Sequence, residues 1–104
     1  MTNASELLEV LAEPTRRAIV ERLAERPSAV SDLARDMPIT RSAVSQHLQI
    51  LKAVGLVTDQ AAGTRRIYRV DPAALAIIRD YFDAFWSRSL TAFQNAAEQP
   101  REDT

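Results

Sequence analysis

Two glycines constrain the fold more than any other feature of this 104-residue sequence, because each lies where the pattern of the chain changes. Gly55 follows a segment with helical periodicity that starts at Arg41, and a glycine in the left-handed conformation is a common helix end. Gly63 lies between two short segments that are typical of strands, where a tight turn needs a positive φ. We therefore predict a helix that ends at Gly55, followed directly by a two-stranded hairpin with Gly63 at its tip.

Capping signals and periodicity predict the other elements. Asn3 and Glu6 have the spacing of a capping box, and Thr40 is a good capping residue. Pro14 and Pro72 each suit the first turn of a helix. We predict helices from Asn3 to about Leu11, from Pro14 to before Pro27, from a capping Ser28 through Asp36, from Arg41 to Val54 and from Pro72 to about Glu98, and strands at 56–58 and 65–70 joined by a turn at 59–63. This order, α-α-α-α-β-β-α, predicts a mainly α winged helix-turn-helix fold with a small β-hairpin wing.

The length and composition predict one domain at residues 1–98, with a dimerisation helix at about 72–98 and a frayed polar tail at 99–104. The absence of cysteine excludes disulfides and a thiolate metal site, and the single histidine excludes a multi-histidine site within one chain. No apolar run approaches the length of a membrane span, and the N-terminus lacks the basic residues of an export signal. We expect a cytoplasmic protein without a cofactor and without membrane contact.

The charge of the chain is distributed unevenly. The net charge is −1, yet residues 37–70 contain five basic side chains and one acidic side chain, Asp59. Binding to phosphates needs a local positive surface and not a basic whole protein. Charge alone is equally consistent with a scattered solvated surface, so it permits DNA binding without establishing it.

The predicted fourth helix has two distinct faces. At about 100° per residue, Val44, Leu48 and Leu51 share one face, which we assign to the core. The opposite face contains short hydroxyls and amides and the helix has no acidic residue, whereas an ordinary surface helix usually has pairs of Glu and Lys. Such groups can bond to base edges, and acid would be repelled by phosphate. This pattern is typical of a helix that lies in the major groove of DNA.

His47 and the hairpin tip remain open to two interpretations. His47 lies at the flank of the core face, so it is either a half-buried structural histidine or, as the helix context favours, a DNA contact. The arginines after Thr64 can reach phosphates or a minor groove, although a solvated turn explains them equally well when the tip is considered alone. The candidate DNA-binding residues are Thr40, Arg41, Ser42, Ser45, Gln46, His47, Gln49, Arg65 and Arg66.

The last predicted helix has a broad apolar and aromatic stripe, which is too large for a small domain to bury by itself. A dimer interface with the first helix explains this stripe best. A ligand pocket is a second interpretation, and a membrane-surface helix is a poor third because the polar face has few basic residues. The candidate dimer residues are Leu7, Leu8, Leu11, Leu75, Ile78, Phe82, Phe85, Trp86 and Phe93, and Leu90 belongs to the same stripe.

Three segments resemble the arsenic-repressor-like (ArsR/SmtB) family: LAEPTRRAIVERLAE, SDLARDMPITRSAVSQHLQILKAVGLV and GTRRIYRV. The resemblance extends from about Leu7 to Phe93. It implies a homodimeric repressor that binds a palindromic operator and leaves it when an effector binds. It also implies that the recognition-helix residues are Ser42, Ser45, Gln46 and His47 and that Arg65 and Arg66 are the basic residues of the wing.

The chain departs from the pattern by which many members of that family bind metal. Their Cys-x-Cys pair corresponds to Ala29 and Ser31 here, and the last helix has Asp80 and Asp83 but no histidine. The chain therefore resembles the non-metal branch of the family, and its residues identify no effector.

We carry two function hypotheses forward. The first is a sequence-specific DNA-binding dimer, and the second is a winged-helix protein-interaction module that binds no DNA. The second predicts acidic or apolar groups on the outer face of the fourth helix, and the sequence has none there. An enzyme is not expected, because no nucleophile–base pair, metal cluster or phosphate loop can be assembled.

Overall fold

The computed structural model describes residues 3–99, and within that range it contains five helices and one two-stranded antiparallel sheet. The elements are α1 (Ala4–Leu11), α2 (Pro14–Glu25), α3 (Val30–Asp36), α4 (Arg41–Ala53), β1 (Val57–Ala62), β2 (Arg65–Val70) and α5 (Pro72–Glu98). This is the predicted order, so the winged helix-turn-helix fold is confirmed. The expectation of a frayed tail concerns residues that lie, apart from Gln99, outside the described range.

Side-chain caps fix the starts of three helices at the predicted residues. The Asn3 Oδ1 atom accepts a hydrogen bond from the Glu6 backbone N–H at 3.0 Å, and Thr40 Oγ1 accepts one from Ala43 at 3.1 Å. Asp71 accepts from the Ala73 N–H at 2.9 Å at the start of α5. These bonds satisfy backbone donors that the first turn of a helix leaves without partners.

The prediction that Ser28 caps the third helix is wrong. The capping position is Ala29, and Asp32 accepts a hydrogen bond from the Ala29 backbone N–H at 3.2 Å. Ser28 instead forms a β-bridge with Tyr68 of β2, with N–O distances of 3.0 and 2.9 Å in the two directions. Pairing with the sheet satisfies both backbone groups of the buried Ser28, and this interaction is tertiary, so no local signal reveals it.

Gly55 ends α4 as predicted. Its φ is 82°, its N–H donates to the Lys52 carbonyl at 3.0 Å, and the Leu56 N–H donates to the Leu51 carbonyl at 2.9 Å. These two bonds are a Schellman motif, and both leucines are fully buried. The motif turns the chain directly from the end of α4 into the hairpin.

The hairpin, residues 57–70, is longer than predicted, and we call it the wing. The expected turn at 59–63 is wrong, because Asp59 to Ala62 pair with β2 and only Gly63 and Thr64 connect the strands. Gly63 has a φ of 65°, and no other residue of the described wing has a positive φ, which fits a type II′ turn.

The core lies between α1–α4 and the base of the wing. The predicted core residues of α4 are completely buried. Large aliphatic side chains from α1, α2 and α3 are buried with them, whereas α5 contributes no large side chain to this fully buried set. The fully buried large side chains are Leu7, Ile19, Leu23, Leu33, Leu48, Leu51, Leu56, Val44 and Val57. Leu7 therefore belongs to the core of the single chain, and its assignment to a dimer surface is wrong; Leu8 and Leu11 remain partly exposed.

The helix α5 extends far beyond the core. Ala74 is buried and Ile78 packs against the core, but residues 79–99 are exposed along their whole length. The Cα radius of gyration is 19.2 Å, whereas a compact domain of this size has about 13 Å. Within residues 3–99, no helix is both long enough and apolar enough to cross a bilayer.

Candidate DNA-binding surface

The outer face of α4 is solvent-accessible and free of acidic groups. Ser42, Ser45, Gln46 and Gln49 are all exposed, because the opposite face of the helix is held in the core. Hydroxyl and amide side chains at these positions present both donors and acceptors to an approaching ligand. The geometry of the helix therefore supplies what readout of base edges requires.

The remaining candidate residues on α4 and at its start differ in how accessible their polar atoms are. Arg41 is exposed at the first turn, whereas the Thr40 hydroxyl is occupied as the helix cap. His47 is partly buried, and its Nδ1 atom is inaccessible and has no hydrogen-bond partner among residues 3–99. The structural interpretation of His47 thus gains support.

The carboxylate of Glu13, the residue that caps the start of α2, is influenced by the charge of His47 in α4. The pKa of Glu13 lies below its ordinary value of 4.5, chiefly because its carboxylate accepts the backbone N–H of Arg16 at 2.7 Å, and the imidazole of His47 adds a smaller attraction.

An open cleft of about 480 Å³ lies between the first turns of α3 and α4 on one side and the tip of the wing on the other. Three arginines line it, one from α4 and two from β2. The full lining is Ala29, Val30, Ser31, Arg41, Ser45, Thr64, Arg65, Arg66 and Tyr68. The cleft joins the outer face of α4 to the wing, so the two predicted parts of the DNA surface are adjacent.

Both wing arginines have a carboxylate partner. Arg65 lies 2.5 Å from an oxygen of Asp32 in α3, and Arg66 lies 3.0 Å from an oxygen of Asp59 in β1. The two guanidinium side chains are still 51% and 56% exposed, so each retains donors that face solvent.

Asp32 has several partners at the mouth of the cleft. It accepts the Ala29 N–H and also binds Arg35 at 2.9 Å. These interactions hold its pKa below the ordinary value of 3.8; the bond from the Ala29 backbone is the largest cause, and Arg65 and Arg35 add to it against the effect of burial.

Asp59 is the more enclosed of the two carboxylates, with a side chain only 7% exposed. Lys52 Nζ at the end of α4 lies 2.9 Å from its other oxygen. The hydrogen bond from Lys52 is the main reason that the pKa of Asp59 lies below 3.8, and Arg66 adds to the effect while burial opposes it.

Sequence reasoning missed Asp32, Lys52 and Asp59 as parts of this surface. One feature of the sequence indicates a role for Asp59, because it is the single acidic residue in the segment 37–70, which contains five basic residues. If β1 is extended to Ala62, the register places Arg66 opposite Ala61 and diagonal to Asp59, within reach of a long side chain. No comparable signal links Asp32 to Arg65, which are 33 residues apart.

The residues present do not fit the metal site of the resembled family. Ala29 is buried and Ser31 lines the cleft, so neither offers a thiolate. Across the described part of the chain, no group of three or more histidine, cysteine, aspartate or glutamate side chains could hold a metal ion.

The exposed half of α5 forms a second surface. Phe82 is 50% exposed, Phe85 46% and Trp86 62%. Tyr81, which the sequence analysis does not include in the apolar stripe, packs edge-on against Phe82 with ring centroids 5.4 Å apart and stacks on Phe85 with centroids 6.5 Å apart. We call the set of Leu75, Tyr81, Phe82, Phe85, Trp86, Leu90 and Phe93 the α5 stripe.

Comparisons with known proteins agree with this geometry. Residues 13–59 match the family model described as bacterial regulatory protein, arsR family. The HTH-type transcriptional regulator Rv2034 of Mycobacterium tuberculosis is 53% identical over 96 residues, which are 92% of this chain and 90% of that protein. The HTH-type transcriptional repressor SmtB of the same species is 44% identical over 72% of this chain, which spans only 56% of that protein.

Solved structures show the same fold. An ArsR-like transcriptional regulator from Rhodococcus sp. RHA1 superposes with a TM-score of 0.75 at 30% identity and covers 93% of this chain and 94% of its own. A possible transcriptional regulator for arsenical resistance has a TM-score of 0.69 at 45% identity, covering 90% of this chain and 96% of its own. The chain therefore belongs to the arsR family of bacterial regulatory proteins, which are DNA-binding transcriptional regulators and not enzymes.

Proposed function

We propose that the protein is a homodimeric repressor that binds a palindromic operator, inserting α4 into the major groove and placing the wing beside it. The observation that carries this proposal is the exposed, acid-free outer face of α4 next to a cleft lined by three arginines. Hydroxyls and amides at that face suit base edges, and the arginines suit the flanking phosphates. The name of the similar SmtB protein, a transcriptional repressor, supports repression as the direction of control.

Dimerisation is part of the same proposal. The α5 stripe is apolar and aromatic over several helical turns, and its residues from Tyr81 onward project away from the core of the chain. Burial of an aromatic side chain of this kind contributes about 1.5–3 kcal/mol. A second copy of α5, with Leu8 and Leu11 of α1 at the edge, is the occupant that we propose for this surface. Since the target is genomic DNA, we also propose a cytoplasmic location.

The alternative, a winged-helix module that binds only proteins, has one observation in its favour. Ile50 of α4 is 42% exposed. A single apolar side chain among polar ones does not make a docking patch, however, because scattered exposed apolar residues are normal on protein surfaces. The DNA-binding proposal therefore remains the stronger of the two.

Selection of duplexes from a random DNA pool by the purified wild-type protein tests the proposal. We expect enrichment of an inverted repeat whose half-site centres lie about 10 base pairs apart, because two recognition helices related by a twofold axis meet successive major grooves on one side of the duplex. Enrichment of no sequence would contradict the DNA-reading function. Enrichment of a single, unrepeated site would contradict the dimer.

A further inference from the structure

The contacts of Asp59 connect the recognition helix to both strands of the wing. Asp59 belongs to β1, and its two oxygens bind Lys52 of α4 at 2.9 Å and Arg66 of β2 at 3.0 Å. In the sheet register Asp59 pairs with Tyr68, which is buried, so the carboxylate lies on the face of the wing that is turned towards the body of the protein.

The burial of this carboxylate has a consequence for DNA binding. A negative group beside a DNA surface repels phosphate, so electrostatics alone predicts that its removal strengthens binding. A charge that is largely withdrawn from water also needs well-placed partners, and both partners here are basic side chains. Asp59 therefore opposes DNA binding through its charge while it holds two basic side chains in fixed positions.

The two wing arginines differ in what holds them. The Asp32 partner of Arg65 is 27% exposed, whereas the Asp59 partner of Arg66 is 7% exposed. Exposed ion pairs contribute little, so Arg65 can exchange its carboxylate for a phosphate at small cost. Arg66 shares an enclosed carboxylate with Lys52 and is the less available of the two.

We propose that Asp59 is a positioning residue that sets the orientation of the wing relative to α4, with Arg66 held in this link and Arg65 acting as the phosphate contact of the wing. This inference rests on the proposed DNA binding. It replaces the expectation that both arginines bind DNA directly.

Arg65→Gln and Arg66→Gln provide a matched test, because they remove the same charge at adjacent positions. The probes are a duplex selected from random DNA by the wild-type protein and a random-sequence duplex of equal length, each titrated at several salt concentrations. For Arg65→Gln we expect weaker binding to both duplexes and a salt slope that falls by about 1.8, because the dimer loses two phosphate contacts at about 0.9 each. For Arg66→Gln we expect an unchanged slope and a preference for the selected duplex that falls by about 3- to 30-fold.

Asp59→Asn tests the same link by removing the charge of its carboxylate. Asp80→Asn, on the exposed part of α5, is the control because it changes the net charge by the same amount. We expect Asp59→Asn to lower the preference for the selected duplex by about 3- to 30-fold without a smaller salt slope, and Asp80→Asn to change neither quantity. Asp59→Glu, which retains the carboxylate, should recover part of the preference. If Asp59→Asn does not fold by circular dichroism, Lys52→Gln takes its place with the same expected loss of preference.

Any of three results would overturn the inference. The salt slope could fall equally for both arginine variants, or Arg66→Gln could retain the wild-type preference for the selected duplex. The third result is that Asp59→Asn binds the selected duplex as tightly as Asp80→Asn does. Failure of the wild-type protein to prefer the selected duplex would instead refute the proposed function itself, so the two failures are distinguishable.

Discussion

At the scale of single residues, Gln46 is the side chain whose position on α4 best suits direct base readout. It lies on the exposed outer face, nearly opposite the buried Val44, and its amide can both donate and accept. Glutamine can form two hydrogen bonds with the N6 and N7 atoms of adenine in the major groove.

Gln46→Ala should therefore weaken binding to the selected duplex by about 1–3 kcal/mol and relax the base preference at one position of each half-site. Gln94→Ala is the control, since Gln94 lies on the exposed part of α5, where its amide donates a hydrogen bond to Glu98 of the same helix. Competition binding against random-sequence DNA measures both effects. An equal loss on selected and random duplexes would show that Gln46 does not read a base.

At the scale of elements, the end of α4 determines where the wing begins. Gly55 adopts a φ of 82° and completes the Schellman motif that brings Leu56 into the core. Gly55→Ala should lower the free energy of unfolding by roughly 1 kcal/mol, because a Cβ atom is strained in the left-handed region. Gly55→Asn should lower it less, since asparagine tolerates that region better.

Urea unfolding followed by circular dichroism measures this difference. A fully stable Gly55→Ala variant would mean that the end of α4 can rearrange without cost. The same variant should also bind the selected duplex more weakly, because the wing starts only two residues after Gly55.

The elements that could be predicted from the sequence are those with local signals. Thr40 caps α4 and Gly55 ends it, and both act within a few residues of their position. The second half of β1 could not be predicted in this way, because three of its four residues, Asp59, Ala61 and Ala62, are of types that are depleted in strands. Their pairing with β2 supplies the structure that their own preferences do not.

In the candidate site, too, the residues that could be predicted are those with a local signal in the sequence. The outer face of α4 was predicted because helical periodicity alone separates Ser45 and Gln46 from the buried Leu48. The carboxylate partner of Arg66 follows from the hairpin register once β1 is extended to Ala62. The pairing of Arg65 with Asp32 and of Lys52 with Asp59 depends instead on how α3, α4 and the wing pack together. Such tertiary contacts leave no periodic trace in the sequence.

At the scale of the whole molecule, the long axis of 74 Å is the main departure from a compact domain, and it arises because α5 extends beyond the core. One winged helix offers few base contacts, so a second copy held at a fixed distance makes the second contact effectively intramolecular. We therefore interpret α5 as the element that converts a weak DNA-binding unit into a specific one.

The double variant Phe82→Asp with Phe85→Asp tests this central claim. Ser87→Asp with Thr91→Asp is its control, because it adds the same charge on the opposite side of the exposed helix. Light scattering and titration of the selected duplex are applied to both proteins, and circular dichroism establishes that each is folded, since dimers can lack a stable monomer.

We predict that the phenylalanine variant is monomeric and binds the selected duplex about 100-fold more weakly or worse, with a much smaller loss on random DNA, whereas the control remains dimeric and binds as the wild type does. A folded phenylalanine variant that stays dimeric and binds the selected duplex tightly would contradict the account.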